Sequence, residues 1–219
     1  MTFSIAGRCA RTGMLGCVVT TSAMAVGSRC AFAQAGVGAV LTQHRTDPRL
    51  GPIVLEQLAR GAAPDAILHA LEAGDSTLGW RQLAVIAADG RAAVFNGGRI
   101  SSIAKGRVGR DCVAAGNILR TTAVVDAMVE SFEANAPEPL PERLLRAIEA
   151  GQAAGGELRQ VKSAALLVVH RERFPYVDLR VDLSAQPLTE LRFLWELYRP
   201  EADAYVVRAL EPDKAAAPA

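Results

Sequence analysis

Aromatic side chains are scarce in this chain: Phe, Tyr and Trp make up 5% of its 219 residues. Half of the residues are hydrophobic all the same. A substantial core is therefore expected, built mainly from Ala, Val, Leu and Ile. Charge of one sign is lacking too. The chain has 24 Lys and Arg against 23 Asp and Glu, a formal net charge of +1. That balance has none of the basic footprint of a nucleic-acid binder, and no nucleic-acid partner is expected. No window approaches the roughly 18 uninterrupted apolar residues of a membrane helix, so no membrane partner is expected either. The opening Met1-Thr2-Phe3-Ser4-Ile5-Ala6-Gly7-Arg8 lacks the charged and apolar regions of a secretory signal. Cys9, Cys17, Cys30 and Cys112 show no CxxC pair and no zinc-like spacing. They are expected as buried free thiols in a reducing cytoplasm. Neither a metal nor a cofactor is expected.

What is present is a succession of strand and helix patterns. Residues 3–8 and 14–21 flank Ala10-Arg11-Thr12-Gly13 and predict a hairpin. Residues 30–33 and 36–42 predict a second pair of strands, in which Gly36 and Gly38 alternate with Val37 and Ala39 as if for close backbone approach. The first forty or so residues therefore predict a four-strand unit. Helices follow over 52–60 and from Pro64 to Leu71, ended by Gly61 and Gly74. Residues 81–87 and 91–96 flank Ala88-Asp89-Gly90 and predict a further hairpin. A less regular stretch over 97–111 leads to a short strand at 112–115. Thr122 to Ala134 is an amphipathic helix with Val125, Met128, Val129 and Phe132 on one face. A helix over 141–154, strands at 163–170 and 176–182, and a helix over 187–197 complete the pattern.

Strand hairpins imply mostly antiparallel sheets, and paired helices can cover a sheet face. Two sheets packed together with helices outside each is one economical solution. No composition break divides the chain, so a single domain over residues 1–210 is expected. An Ala- and Pro-rich tail over 211–219 is expected to be flexible.

A set of short motifs in collinear order carries a resemblance. Thr2-Phe3-Ser4-Ile5 and Ala25-Val26-Gly27 are followed by Ala35-Gly36-Val37-Gly38-Ala39-Val40, Thr42-Gln43 and Asp47-Pro48. Then come Gly51-Pro52, Arg81-Gln82, Gly116-Asn117-Ile118-Leu119 and Val125-Asp126-Ala127-Met128. The run from Glu149 to Gly156 and Tyr176-Val177-Asp178-Leu179-Arg180-Val181 close the series. From Thr2 to about Tyr198 the chain resembles the DUF1028 family, which is usually placed with the N-terminal-nucleophile (Ntn) hydrolases. The resemblance implies an α+β fold, a four-layer αββα sandwich of mostly antiparallel sheets, and hydrolysis of an amide-type C–N bond. Two loops depart from the family pattern. Residues 103–111 lack the His of a Gly-His loop, and Arg120-Thr121 replaces a small pair.

Within that frame Thr2 is the sharpest candidate. A small residue at position 2 permits removal of Met1, which would leave Thr2 with a free α-amine. That amine has an ordinary pKa of about 7.7–8.0, so a neutral fraction can take the proton of the hydroxyl beside it. The plainer alternative is a β-branched residue suited to a first strand. Ser22, after the second strand, is a candidate for orienting Thr2, or else a turn hydroxyl. Asn117 is a candidate oxyanion donor, or else a left-handed turn residue or helix cap. Gln43 and His44 end the fourth strand, where they could reach a pocket rim. Arg81 could clamp a carboxylate in two-point fashion, or form a strand-edge ion pair. The expected function is an amidohydrolase acting on a small molecule or short peptide, with Thr2 as nucleophile and Ser22 and Asn117 assisting. The alternative is a non-catalytic protein of the same fold that binds a metabolite or protein partner. A homo-oligomer, most simply a homodimer, is expected from apolar helices such as 188–197.

Overall fold

In a computed structural model the described residues are 2–215. Met1, whose removal the sequence reading requires, lies outside them. Among the described residues ten strands make two sheets, and every strand pairing is antiparallel. The strands are β1 (Thr2–Arg8), β2 (Leu15–Thr21), β3 (Ala31–Gln34), β4 (Gly38–His44) and β5 (Arg81–Ala87). They continue with β6 (Ala92–Asn96), β7 (Ala104–Gly109), β8 (Cys112–Asn117), β9 (Ser163–Val169) and β10 (Val177–Val181). The six-stranded sheet runs β10-β9-β2-β1-β8-β7, and the four-stranded sheet runs β3-β4-β5-β6.

The four-strand unit expected from the first forty residues is two hairpins in different sheets. A short helix, α1 (Gly27–Cys30), carries the chain from β2 to β3. Local pattern shows that a segment is a strand but not which non-local partner it takes. The two glycines proposed for close approach also differ. A Cβ at Gly38 would lie 2.5 Å from the Ile86 carbonyl oxygen, whereas Gly36 is a turn residue with φ +69° and open space around it. The irregular stretch before Cys112 contains an edge strand, β7. Its residues are mostly half-buried, so it lacks the apolar alternation that marks inner strands.

The helices α2 (Leu50–Ala59), α3 (Pro64–Gly74), α4 (Ala123–Ala134), α5 (Leu140–Ala153) and α6 (Pro187–Tyr198) fall where the pattern put them. A seventh, α7 (Ala202–Leu210), was not expected. Of the tail expected from residue 211, Pro212–Lys214 form a 3-10 turn, and residues 216–219 lie outside those described.

Side-chain alternation along the strands separates three apolar clusters. Phe3, Ile5, Val18 and Leu166 of the large sheet pack with Val125, Met128 and Phe132 of α4, Leu144 and Ile148 of α5, and Leu191 and Trp195 of α6. Val40, Leu83 and Val85 of the small sheet pack with Val54 and Leu58 of α2 and Ile67 and Leu68 of α3. Between them a third cluster draws on both sheets: Ala6, Cys17, Val19 and Val113 from one, Ala39, Leu41, Ala84 and Ile86 from the other. Small residues dominate this middle layer, which explains how a chain with few aromatics fills its core. All four cysteines are free and buried.

Candidate functional site

The same alternation that places Ala6, Cys17, Val113, Leu41 and Ala84 between the sheets continues toward one end with polar residues. Two residues beyond Ala6 on β1 is Ser4, and two beyond that is Thr2. On β2 the corresponding series ends at Thr21, on β4 at Gln43, on β5 at Gln82 and on β8 at Asn117. The layer between the sheets is therefore apolar at one end and polar at the other. Ser4, Gln43, Gln82 and Asn117 have no solvent exposure at all.

Buried polar groups require partners, and here they find one another across the gap. Ser4 Oγ donates to Gln43 Oε1 at 2.8 Å, and Gln43 Nε2 donates to Gln82 Oε1 at 2.7 Å. Asn117 Nδ2 donates to the same Gln82 oxygen at 2.9 Å. The Gln82 amide in turn donates to Asn96 Oδ1 at 2.6 Å and to the Gly116 carbonyl at 2.9 Å. Gln82 thus joins β4, β5 and β6 of the small sheet to β8 of the large one.

Thr2 stands at the edge of this network. It faces Asn117 directly in the β1–β8 register, so the two side chains share a face of the sheet. Its Oγ1 lies 3.3 Å from Thr21 Oγ1, to which it donates. Although Thr2 is only 4% exposed, it lines a cavity of about 310 Å³ together with Thr21, Val26, Arg29, Cys30, His44 and Thr46. Burial pushes the Cys30 thiol pKa up, which keeps it protonated and disfavours it as a competing nucleophile.

The backbone around the site is unusual. Ala25, His44, Asp111 and Ile118 are the non-glycine residues with positive φ among those described, at 54°, 72°, 60° and 54°. Three of the four adjoin the site: His44 lines the cavity, Ala25 precedes Val26, and Ile118 follows Asn117. A β-branched residue in this region is a genuine outlier, and each such position costs about 1–3 kcal/mol. The turn at Ile118 is held by Ser102 Oγ, which accepts its N–H at 3.1 Å, and by Leu158, whose N–H goes to its carbonyl.

The candidates taken from the sequence separate into groups. Thr2 and His44 share the cavity, and Asn117 sits beside Thr2. Gln43 does not reach a rim. It is fully buried, and both ends of its amide are engaged in the inter-sheet network. The Arg81 guanidinium does not line the cavity either; one of its N–H groups goes to the Arg45 carbonyl. His44 Nδ1 is 2.7 Å from the Trp80 carbonyl oxygen, which fixes the ring. The Ser22 N–H donates to Glu157 Oε2 at 3.3 Å. The basic segment before Cys112 is strand β7, with Lys105 and Arg107 paired to Asp126.

Glu157 is the residue the sequence reading missed. It is 3% exposed, and its Oε1 has no hydrogen-bond partner among the described residues. Burial pushes its carboxyl up to about 7, against the opposing effects of the amino-terminal charge and then of the Ser22 hydrogen bond. It follows Gly155 and Gly156, both with positive φ, which turn the chain out of α5. A second cavity, of about 370 Å³, is lined by Glu157, Arg120, Gln152, Arg159 and Gln160, among others. Among the described residues no three His, Cys, Asp or Glu side chains cluster as metal ligands would.

The sequence profile of DUF1028, a family of unknown function, matches residues 2–191. The chain belongs to the DUF1028 family. A crystal structure of a DUF1028 protein from Silicibacter pomeroyi is similar to it, with 31% sequence identity and a TM-score of 0.84, over 90% of this chain and 85% of that one. No curated protein matches the sequence. The DUF1028 match begins at Thr2, the first residue of β1, and spans both sheets, so the cavity and the inter-sheet network both lie within the family region.

Proposed function

We propose that this DUF1028 protein is an N-terminal-nucleophile amidohydrolase that cleaves an amide-type C–N bond in a small metabolite or short peptide. The observation that carries the reading is the placement of Thr2. It heads a central strand at the polar end of the layer between two sheets, buried yet lining a cavity. The three apolar clusters support a four-layer αββα arrangement of the Ntn kind, with helices outside each sheet. Free buried thiols fit the reducing cytoplasm expected from the sequence.

In this reading, removal of Met1 leaves a neutral α-amine on Thr2. The amine takes the hydroxyl proton as Oγ1 bonds to the substrate carbonyl carbon. The oxygen of that carbonyl becomes an oxyanion. Asn117 is suited to it, because Nδ2 carries a second hydrogen besides the one given to Gln82. The C–N bond then breaks, and the departing amine leaves with the proton held on the Thr2 nitrogen. Water adds to the resulting ester, and the acid product leaves with Oγ1 protonated again. His44, on the cavity wall, contacts the substrate.

The test has two parts. Intact mass establishes whether Met1 is removed. Hydrolysis is then screened over N-acyl and N-carbamoyl amino acids, dipeptides and lactams, alongside acylation by a β-lactone probe. Thr2→Ala is expected to abolish both turnover and probe capture while leaving the fold intact. Turnover unchanged in that variant would show that Thr2 is not the nucleophile. A protein that keeps Met1 and captures no probe would favour the non-catalytic alternative.

A further inference from the structure

The position of Glu157 has a topological reading. In the large sheet β1 lies between β2 and β8. Beyond Thr21, the residue beside Thr2, β2 continues into Ser22, whose N–H reaches Glu157 Oε2. Beyond Asn117, which faces Thr2 from the other side, the chain continues to Leu119, which forms a β-bridge with Glu157. Glu157 is therefore approached from both strands that flank β1, and it lies across the end of β1 where Thr2 begins. A carboxylate this deeply buried with one unpartnered oxygen is costly unless a donor meets it.

We infer that Glu157 is a positioning residue for the α-amine of Thr2, with Oε1 accepting an amine N–H and so directing the nitrogen lone pair toward Thr2 Oγ1. This rests on the reading that Met1 is removed. Other charged groups face the pair without satisfying the carboxylate. The Arg120 guanidinium is turned to the Glu157 and Leu158 carbonyls, and Arg159 is exposed on the wall of the second cavity. Arg29 and His44 lie on the Thr2 cavity. Arg29 is spent on the Met24 carbonyl, and His44 on that of Trp80. A carboxyl that titrates near 7 by burial and an amine with an ordinary pKa of about 7.7–8.0 are well matched to share one proton at neutral pH.

The experiment measures the Thr2 amine itself, so no substrate is needed. Its pKa is read by pH-dependent acetylation, with the amino-terminal peptide quantified by mass spectrometry, in the wild type and in Glu157→Gln. Loss of the carboxylate is expected to lower the amine pKa by about 1. An unchanged pKa would overturn the inference while leaving Thr2 catalysis to its own alanine test. Retention of Met1 on the wild-type chain would overturn both together. If the Gln variant does not fold, the wild type decides: acetylating the amine is expected to raise the Glu157 carboxyl titration, followed by carbon NMR. A titration that stays put would overturn the inference.

Discussion

Gln82 and Asn117 lie on different sheets, and Oε1 of the first accepts Nδ2–H of the second at 2.9 Å. The same oxygen accepts Gln43 Nε2, so one carbonyl holds two buried amides in place. Replacing Gln82 by Leu would leave both donors and the Gly116 carbonyl without their partner. Each buried group so orphaned costs about 1–3 kcal/mol. The Gln82→Leu protein is expected to lose at least about 3 kcal/mol in urea unfolding; a loss under about 1 kcal/mol would mean that water or a neighbour takes the place of Gln82.

Thr2→Ser retains a hydroxyl on the same atom and differs by one methyl group. It is expected to keep β-lactone capture within roughly tenfold of wild type, whereas Thr2→Ala loses it by at least about 100-fold. Peptide mapping of the adduct checks this directly, and an adduct on His44 or Cys30 instead would count against the assignment.

Glu157 gives a pH dependence of defined sign. The folded carboxyl keeps its proton up to about 7, while its ordinary value is 4.5. Between those values the folded state binds the extra proton, so stability falls as pH rises through the window. The loss by pH 8 is up to about 3 kcal/mol. Glu157→Gln is expected to flatten this part of the profile and to be the more stable protein at pH 8. Parallel wild-type and variant profiles in thermal unfolding would contradict it.

On the opposite face of the large sheet, Glu142 ties α5 to α6. It accepts from Arg146 at 2.7 Å, Arg192 at 2.7 Å and Trp195 Nε1 at 3.1 Å. Burial pushes its pKa up, but these donors outweigh burial and the net direction is down. Its contribution is therefore present above pH 4.5 and lost as pH falls through the depressed folded value. Glu142→Ala is expected to destabilise by about 3 kcal/mol at pH 7, because Arg192 and the indole N–H lose a buried partner. The difference from wild type should shrink in acid unfolding experiments below pH 4.

Much of the fold was legible because its signals are local. The β5–β6 hairpin announced itself through Asp89-Gly90, where Gly90 takes φ +93°. Helix α4 was written in Val125, Met128, Val129 and Phe132. The division of β1–β2 and β3–β4 between sheets was not legible, since pairing across distant segments leaves no local mark. Strand β7 was hidden because an edge position relaxes the demand for apolar residues. At the site, Thr2 and Asn117 were found separately, yet only the register shows them opposite each other. Gln43 looked like a rim residue because a polar side chain at a strand end usually meets solvent; here the second sheet covers it. Glu157 had no signal beyond the glycine pair before it, and its neighbours Ser22 and Leu119 are far away in sequence.

The central place of β1 has a consequence for motion. Residues Phe3 to Arg8 of the strand pair with β2 on one edge, and Thr2 to Gly7 pair with β8 on the other. Opening it requires breaking two ladders at once, so the amides from Phe3 to Gly7 should exchange with solvent only through near-global unfolding. The candidate nucleophile is thus mounted on one of the least mobile segments of the chain. Adaptation to different substrates would have to come from the loops around Ala25, His44 and Ile118.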